Sequence, residues 1–262
     1  MYETLEIERN DRFATVWMNR PGVHNAFNER VIADLTGAFR ALDEDDDVRV
    51  VVLAGRGKSF SAGADLNWMK AAGAASLAEN VADARRLAVM LRTLAEMKKP
   101  TVARVHGAAL GGGMGLACAC DICIVSERAV FATSEVRFGI IPSAISPYVI
   151  RAIGERHSYR YFLSAERISA ARAVEIGLAH EVAAEDRLDA LMTEIIEALL
   201  QGGPNAQAAA KELIRSVANH ALNDEVVEDT VHRIATLRAA PEAREGLDAF
   251  LSKRSAVWIT KN

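Results

Sequence analysis

Apolar and polar residues alternate over residues 2–8 and again over 12–18, with Arg9-Asn10-Asp11 as a turn between them, so the chain is expected to open with a β-hairpin. Pro21-Gly22 breaks that pattern. From Asn28, a suitable N-cap, the residues Val31, Ile32, Leu35, Phe39 and Leu42 fall at helical spacing, and the acidic run Asp43–Asp47 reads as the solvated exit of this helix. Residues 48–54 (VRVVVLA) form a β-branched run stopped by Gly55 and Gly57, which predicts a buried strand feeding a loop through Met69. Ser76 and Glu79 then make a capping box for a helix with an apolar face at Val81, Leu87, Leu91 and Leu94, ending at Lys98-Lys99-Pro100. A strand over residues 101–105, the glycine-dense turn 106–115, a short helix and a strand over 122–125 follow.

Strand and helix patterns keep alternating to about residue 200, which indicates an α/β core over residues 1–201. At Gly202-Gly203-Pro204 the pattern changes: 205–219, 224–238 and 241–252 all read as helices, giving an all-helical region over 202–262. Val227, Val231, Ile234 and Leu237 form an apolar stripe there suited to burial against another chain.

Composition narrows the function classes. A chain of 262 residues, half of them apolar, buries enough surface to fold without disulfides or a structural metal. A net charge of −4 excludes a bulk basic surface for nucleic acid, so an anionic ligand must be met locally. Neither a signal peptide nor a run long enough to span a membrane is visible, and a cytoplasmic location is expected. The three cysteines, Cys118, Cys120 and Cys123, lack a nearby fourth ligand and read as core thiols, with no metal expected.

Two loops invite a phosphate-binding reading. Gly57-Lys58-Ser59 follows a strand, but Val52 stands where a P-loop needs its first glycine. Gly111, Gly112, Gly113 and Gly115 miss the dinucleotide fingerprint because Leu116 takes its last position. His24, His106 and His157 with Ser61 or Ser143 could suggest a hydrolytic triad, yet no nucleophile elbow accompanies either serine. What remains is a pair of loops whose bare backbone approaches something closely.

The segments Phe60-Ser61-Ala62-Gly63-Ala64-Asp65-Leu66, Ala109-Leu110-Gly111-Gly112-Gly113 with Ala119-Cys120-Asp121, and Ser134-Glu135-Val136-Arg137-Phe138-Gly139-Ile140-Ile141-Pro142 together resemble the enoyl-CoA hydratase/isomerase (crotonase) superfamily. The resemblance runs from Asn19-Arg20-Pro21 to Glu245-Gly246-Leu247-Asp248-Ala249-Phe250. It implies a ββα spiral core, a C-terminal helical trimerisation region, a homotrimer or homohexamer, and an acyl-CoA thioester as substrate, with no cofactor besides the coenzyme A of the substrate. It also implies an oxyanion hole from the Ala64 and Gly112 amides, with Ala62 and Leu66 offering backbone groups to the adenine and Lys58 near the phosphates. Donors fixed around a forming enolate oxygen suit thioester chemistry, because the charge develops where they already point.

Hydratases of this family carry two glutamates; one maps onto Glu135, whereas the other position is Gly115. With only one carboxylate, Glu135 is therefore expected to act with help from backbone groups, a substrate group or another side chain. Gly115 together with S-E-V-R and Ile145-Ser146-Pro147-Tyr148 is most similar to bacterial methylglutaconyl-CoA hydratases of leucine breakdown. If residues 135–137 are extended, Arg137 shares a side with Glu135 and suits a substrate carboxylate; a structural role for Arg137 is the competing reading. Three activities stay open: enoyl-CoA hydration, isomerisation of 3-enoyl- to 2-enoyl-CoA by a single glutamate, and a non-catalytic CoA-binding oligomer. Trp68 and Tyr148 read as pocket lining or core, and Phe250 and Lys253 as tail residues that could reach a neighbour's ligand.

Overall fold

The opening hairpin forms as expected in a computed structural model, which describes residues 2–218 and 220–259. Strand β1 (Leu5–Asn10) pairs antiparallel with β2 (Phe13–Met18) across a turn in which Asp11 takes a positive φ of 36°. From β2 onward the large sheet is parallel: β2, β3 (Val50–Gly55), β4 (Thr101–Val105), β6 (Ile122–Ser126) and β9 (Glu181–Ala183) follow in that spatial order, giving six strands with β1. Parallel strands need covering on both faces, and β3 shows why its sequence is a continuous apolar run. Val51 and Leu53 point into the main core, while Val50 and Val52 join Val102, Ile124, Leu188 and Ile196 on the opposite face.

Helix α1 (Glu29–Glu44) begins where the sequence places it, with the Asn28 side chain accepting the Val31 N–H, and it buries the predicted Val31, Ile32, Leu35, Phe39 and Leu42. Each such fully buried side chain contributes about 1.5–3 kcal/mol. Helix α3 (Leu77–Ala95) carries the complete Ser76–Glu79 capping box. Its buried face is Met90, Leu91 and Leu94 only; Val81, expected inside, is half exposed because the first half of α3 borders an open groove with α1. Between β3 and α3 the expected loop contains helix α2 (Leu66–Ala74), capped by Asp65, which accepts the Asn67 N–H. None of its residues is buried, so it has no apolar periodicity to read.

A second, small sheet gives the fold its layered repeat. Strand β5 (Ala108–Leu110) follows β4 and leads into α4 (Gly112–Ala119), and β7 (Val130–Ala132) follows β6 and leads toward α5 (Ser146–Ser164). Strands β4 and β6 are thus each succeeded by a small-sheet strand and then a helix. The short β8 (Ile168–Ser169) completes the small sheet beside β7. Helix α4 is buried almost throughout, and the thiols of Cys118 within it, Cys120 at its end and Cys123 in β6 are core groups: burial pushes the Cys118 thiol up to about 12.

Helices α6 (Ala170–Glu175) and α7 (Leu188–Leu200) close the α/β part, α7 covering the second face of the large sheet. Three further helices follow: α8 (Pro204–Val217), α9 (Asp224–Ala239) and α10 (Pro241–Leu251). Residue 219, where the first of these was expected to end, lies outside the described residues. Polar ties hold this region to the core: Arg49 donates to the Gly202 carbonyl at 2.6 Å, Lys211 pairs with Asp121 at 2.5 Å, and Arg215 donates to the Ala95 carbonyl. Its apolar side chains Val227, Val231, Ile234, Phe250 and Leu251 remain exposed. Among the described residues no helix is long and apolar enough to cross a membrane.

Candidate active site

The loop after β3 is held by buried polar groups. Asn25, at a φ of 54° and 1% exposed, donates through Nδ2 to the carbonyls of Arg56 and Ser59 and accepts the Arg20 N–H. Ser61 is wholly buried; its hydroxyl donates to the Asn25 carbonyl at 2.9 Å and accepts the Gly63 N–H at 3.3 Å. Arg20 donates to the Ala26 carbonyl and pairs with Asp65 at 3.1 Å. Buried groups left unpaired cost about 1–3 kcal/mol each, so this network fixes the loop backbone in one conformation.

Residues 61–65 lie between two neighbours like a short strand. On one side Ser61 N–H donates to the Ala108 carbonyl and Leu110 N–H to the Ser61 carbonyl. On the other, Phe27 N–H donates to the Gly63 carbonyl and Asp65 N–H to the Phe27 carbonyl. In this parallel bridge residue 64 contributes none of the bonds to Phe27, so the Ala64 amide points to the opposite edge. Gly63 then packs on the backbone of Leu110 and Gly111, which brings residue 64 toward the start of α4. Gly63, at a φ of 88°, permits that approach: a Cβ there would stand 2.9 Å from the Leu110 carbonyl oxygen.

Gly112 opens α4, and its amide is one of the first-turn donors that a helix leaves without an internal partner. A Cβ on Gly112 would lie 2.4 Å from the Phe27 ring, so any side chain there must displace the ring or the start of α4. Phe27 thereby packs on one amide position with its ring and orients the other with its backbone. Among the described residues, neither the Ala64 nor the Gly112 N–H has a protein acceptor.

Glu135 opens a single 3₁₀ turn (Glu135–Phe138) after β7. Its Oε1 lies 3.0 Å from where a Cβ on Gly111 would be, which places the carboxyl against the start of α4, beside Gly112. Oε2 is buried and has no hydrogen-bond partner among the described residues, and burial raises the pKa of this carboxyl from its ordinary value. A half-buried acid with one buried, unpartnered oxygen near two unpaired amides can exchange protons with a bound molecule while the amides hold an oxyanion.

The other predicted residues divide. Lys58 is exposed on the loop after β3, its carbonyl packed against Gly107 and its ammonium without a partner among the described residues. Leu66 is exposed at the start of α2. The Ala62 N–H is already given to the His24 carbonyl, which leaves only its carbonyl for a ligand. Arg137 is a correction: the segment is a 3₁₀ turn rather than extended, so residues 135 and 137 face different directions, and Arg137 donates to the Ala165 carbonyl at 2.9 Å. No triad assembles around Ser61, since His24 meets Ser59 and His106 meets the Gly57 carbonyl. Trp68 and Tyr148 pack partly buried against the core. Phe250 is exposed on α10 and Lys253 just beyond it. The sequence reading missed Asn25 and Phe27 and took Ile145 only as part of a loop pattern; a lone Asn and a lone Phe carry no pattern, and their importance comes from a positive φ and a ring position that only folding creates.

Comparison with known proteins decides the family. Residues 8–261 match the family described as enoyl-CoA hydratase/isomerase. The chain belongs to the enoyl-CoA hydratase/isomerase family. Its fold is that of an enoyl-CoA hydratase from Shewanella pealeana, with a TM-score of 0.96 and 40% identity over 98% of this chain and 97% of the other. The 2,3-dehydroadipyl-CoA hydratase of Escherichia coli is 33% identical, covering 96% of each chain, and the crotonyl-CoA hydratase of Syntrophomonas wolfei is 31% identical, covering 99% of each. The crotonase fold expected from the three motifs is therefore the fold observed. The protein is an enzyme of the enoyl-CoA hydratase type, in a family that acts on acyl-CoA thioesters.

Proposed function

We propose that the protein adds water across the α,β double bond of an enoyl-CoA, with Glu135 as the acid and base and the Ala64 and Gly112 amides as the oxyanion hole. The observation that carries this reading is the buried, unpartnered Oε2 of Glu135 next to the unpaired start of α4. Glu135 takes a proton from water as the hydroxyl adds to Cβ, the π electrons move onto the thioester oxygen, and the two amides hold the enolate. The enolate then collapses and takes the same proton from Glu135 at Cα. The reaction needs no cofactor: every proton and electron pair comes from water and substrate.

The acyl group we infer is branched and ends in a carboxylate, 3-methylglutaconyl-CoA in leucine breakdown, acted on in the cytoplasm. The Gly115, S-E-V-R and Ile145-Ser146-Pro147-Tyr148 pattern supports this choice. Lys58 would meet the coenzyme A phosphates, with the Ala62 carbonyl and Leu66 backbone at the adenine. The exposed apolar stripe of α9 supports a homotrimer or homohexamer. The test is a panel of enoyl-CoA thioesters, including crotonyl- and 3-methylglutaconyl-CoA, followed by loss of the conjugated-thioester ultraviolet absorbance. Turnover fastest on the branched thioester is expected; turnover of none overturns hydration. Isomerisation of 3-enoyl- to 2-enoyl-CoA is the second reading, favoured by the single carboxyl of the site. Product formed in ¹⁸O-labelled water without label uptake would establish it instead.

A further inference from the structure

One face of α4 is covered by two chemically different side chains. Gly111, the residue that precedes α4, and Gly115 are four residues apart, and the Gly115 N–H donates to the Gly111 carbonyl at 3.0 Å, so their backbones lie one turn apart. The Glu135 carboxyl rests on Gly111. Over Gly115 sits Ile145: a Cβ at residue 115 would lie 2.2 Å from the Ile145 Cγ2 and 2.8 Å from its Cβ. Ile145 is only 3% exposed, and its carbonyl accepts the N–H groups of Tyr148 and Val149 at 3.1 Å each, which anchors its backbone at the start of α5. The space above Gly115 is therefore filled by a side chain that has little freedom to withdraw.

We propose that Ile145 is a positioning and specificity-determining residue. By occupying the volume a side chain at residue 115 would need, it limits the site to the one carboxyl of Glu135 and so sets how that carboxyl divides enoyl thioesters between water addition and double-bond migration. This inference rests on the enoyl-CoA reading above.

The chemistry follows from spacing. One helical turn is about 5.4 Å, close to the span of two hydrogen bonds of about 2.8 Å meeting at one water. A second carboxyl one turn from Glu135 would fix a water from both sides, with a lone pair toward Cβ. A methyl group there leaves the water one carboxyl and one orientation fewer. Migration loses nothing by this: Glu135 removes a proton from Cα, the Cα–H pair forms the new Cα=Cβ bond, and the former Cβ=Cγ pair takes the proton back at Cγ. An apolar wall one turn from the acid thus penalises hydration and spares migration.

The test uses the full-length protein and two measurements. In urea unfolding, Gly115→Ala is expected to lower the midpoint of the natural protein, although alanine is the better helix former, and to leave or raise the already lowered midpoint of an Ile145→Gly background. For chemistry, Gly115→Glu with Ile145→Gly is expected to raise the ratio of ¹⁸O-labelled hydration product to migrated product about tenfold or more over the natural protein, whereas Gly115→Glu alone does not. An equal midpoint change for Gly115→Ala in both backgrounds, or a single Gly115→Glu variant matching the double one, overturns the role of Ile145 and leaves hydration standing. A natural protein inert toward every enoyl thioester overturns the enoyl-CoA reading and the partition with it, while the midpoints still decide whether Ile145 and Gly115 are packed as a pair.

Discussion

The corner around α4 and the three C-terminal helices are built on opposite terms. At the corner small residues bring backbone together, buried side chains satisfy one another, and what is left over is polar: two amides and one carboxyl oxygen. In the C-terminal region the polar side chains do the holding, as with Arg49, Lys211 and Arg215, and what is left over is apolar: Val227, Val231, Ile234 and Phe250. Unpaired polar groups in a buried corner suit a small polar reactant, whereas an unburied apolar stripe suits another protein surface. The two kinds of remainder support the chemistry proposed for the first region and the association proposed for the second.

If that division is right, the largest effect belongs to Glu135→Gln. The expected loss of turnover on a preferred enoyl-CoA is about 10²–10⁴-fold, measured by steady-state kinetics. The same variant is expected to be more stable than the natural protein at neutral pH. Burial raises the folded-state pKa of Glu135, so the native state holds its proton more tightly than the unfolded chain. That contribution is fully present below the unfolded carboxyl's pKa and is lost as pH rises through the raised one; glutamine removes this loss, which thermal unfolding across pH would show. In the natural enzyme kcat/KM should fall on acidification through the same raised pKa, because hydration starts from the ionised carboxylate.

Gly112→Ala comes next. The added methyl meets the Phe27 ring and must tilt the start of α4, with an expected rate loss of about 10²–10³-fold from a misplaced amide. Overpacking should also cost about 1–3 kcal/mol in urea unfolding. An unchanged rate would detach the Gly112 amide from the chemistry. In the other region, Val231→Asp with Ile234→Asp should shift gel filtration toward monomer size while circular dichroism stays native, since both side chains are already half exposed in the single chain. Native-size elution would remove the stripe from any interface. The smallest effect is expected from Arg137→Ala: its visible tie is one hydrogen bond to Ala165, worth about 0.5–1.5 kcal/mol, and KM for a carboxylate-bearing thioester should not move. A large rise in KM would return Arg137 to substrate recognition.

Much of the fold was legible because long elements repeat their signals. The Asn28 cap, the Ser76–Glu79 box and the β-branched run of β3 each combine a local preference with a burial pattern, and all three appear where read. The misreadings fall where burial and periodicity part company. Helix α2 buries nothing, β5, β7 and β8 are two or three residues long, and Val81 continues an apolar spacing past the point where α3 meets its neighbour. The segment from Glu135 misled for a related reason: four residues of 3₁₀ turn carry no period that separates them from an extended strand.

By itself the sequence determined the order of the elements, the family through three separated motifs, and the single glutamate available for proton transfer. Only the tertiary structure decided which groups remain unpaired. An amide's freedom depends on where its neighbours' carbonyls go, and a carboxyl's proton affinity on what surrounds it; both arise between segments far apart in the chain. That is why Gly115, read from sequence as a missing acid, becomes in the folded protein a place already taken by Ile145.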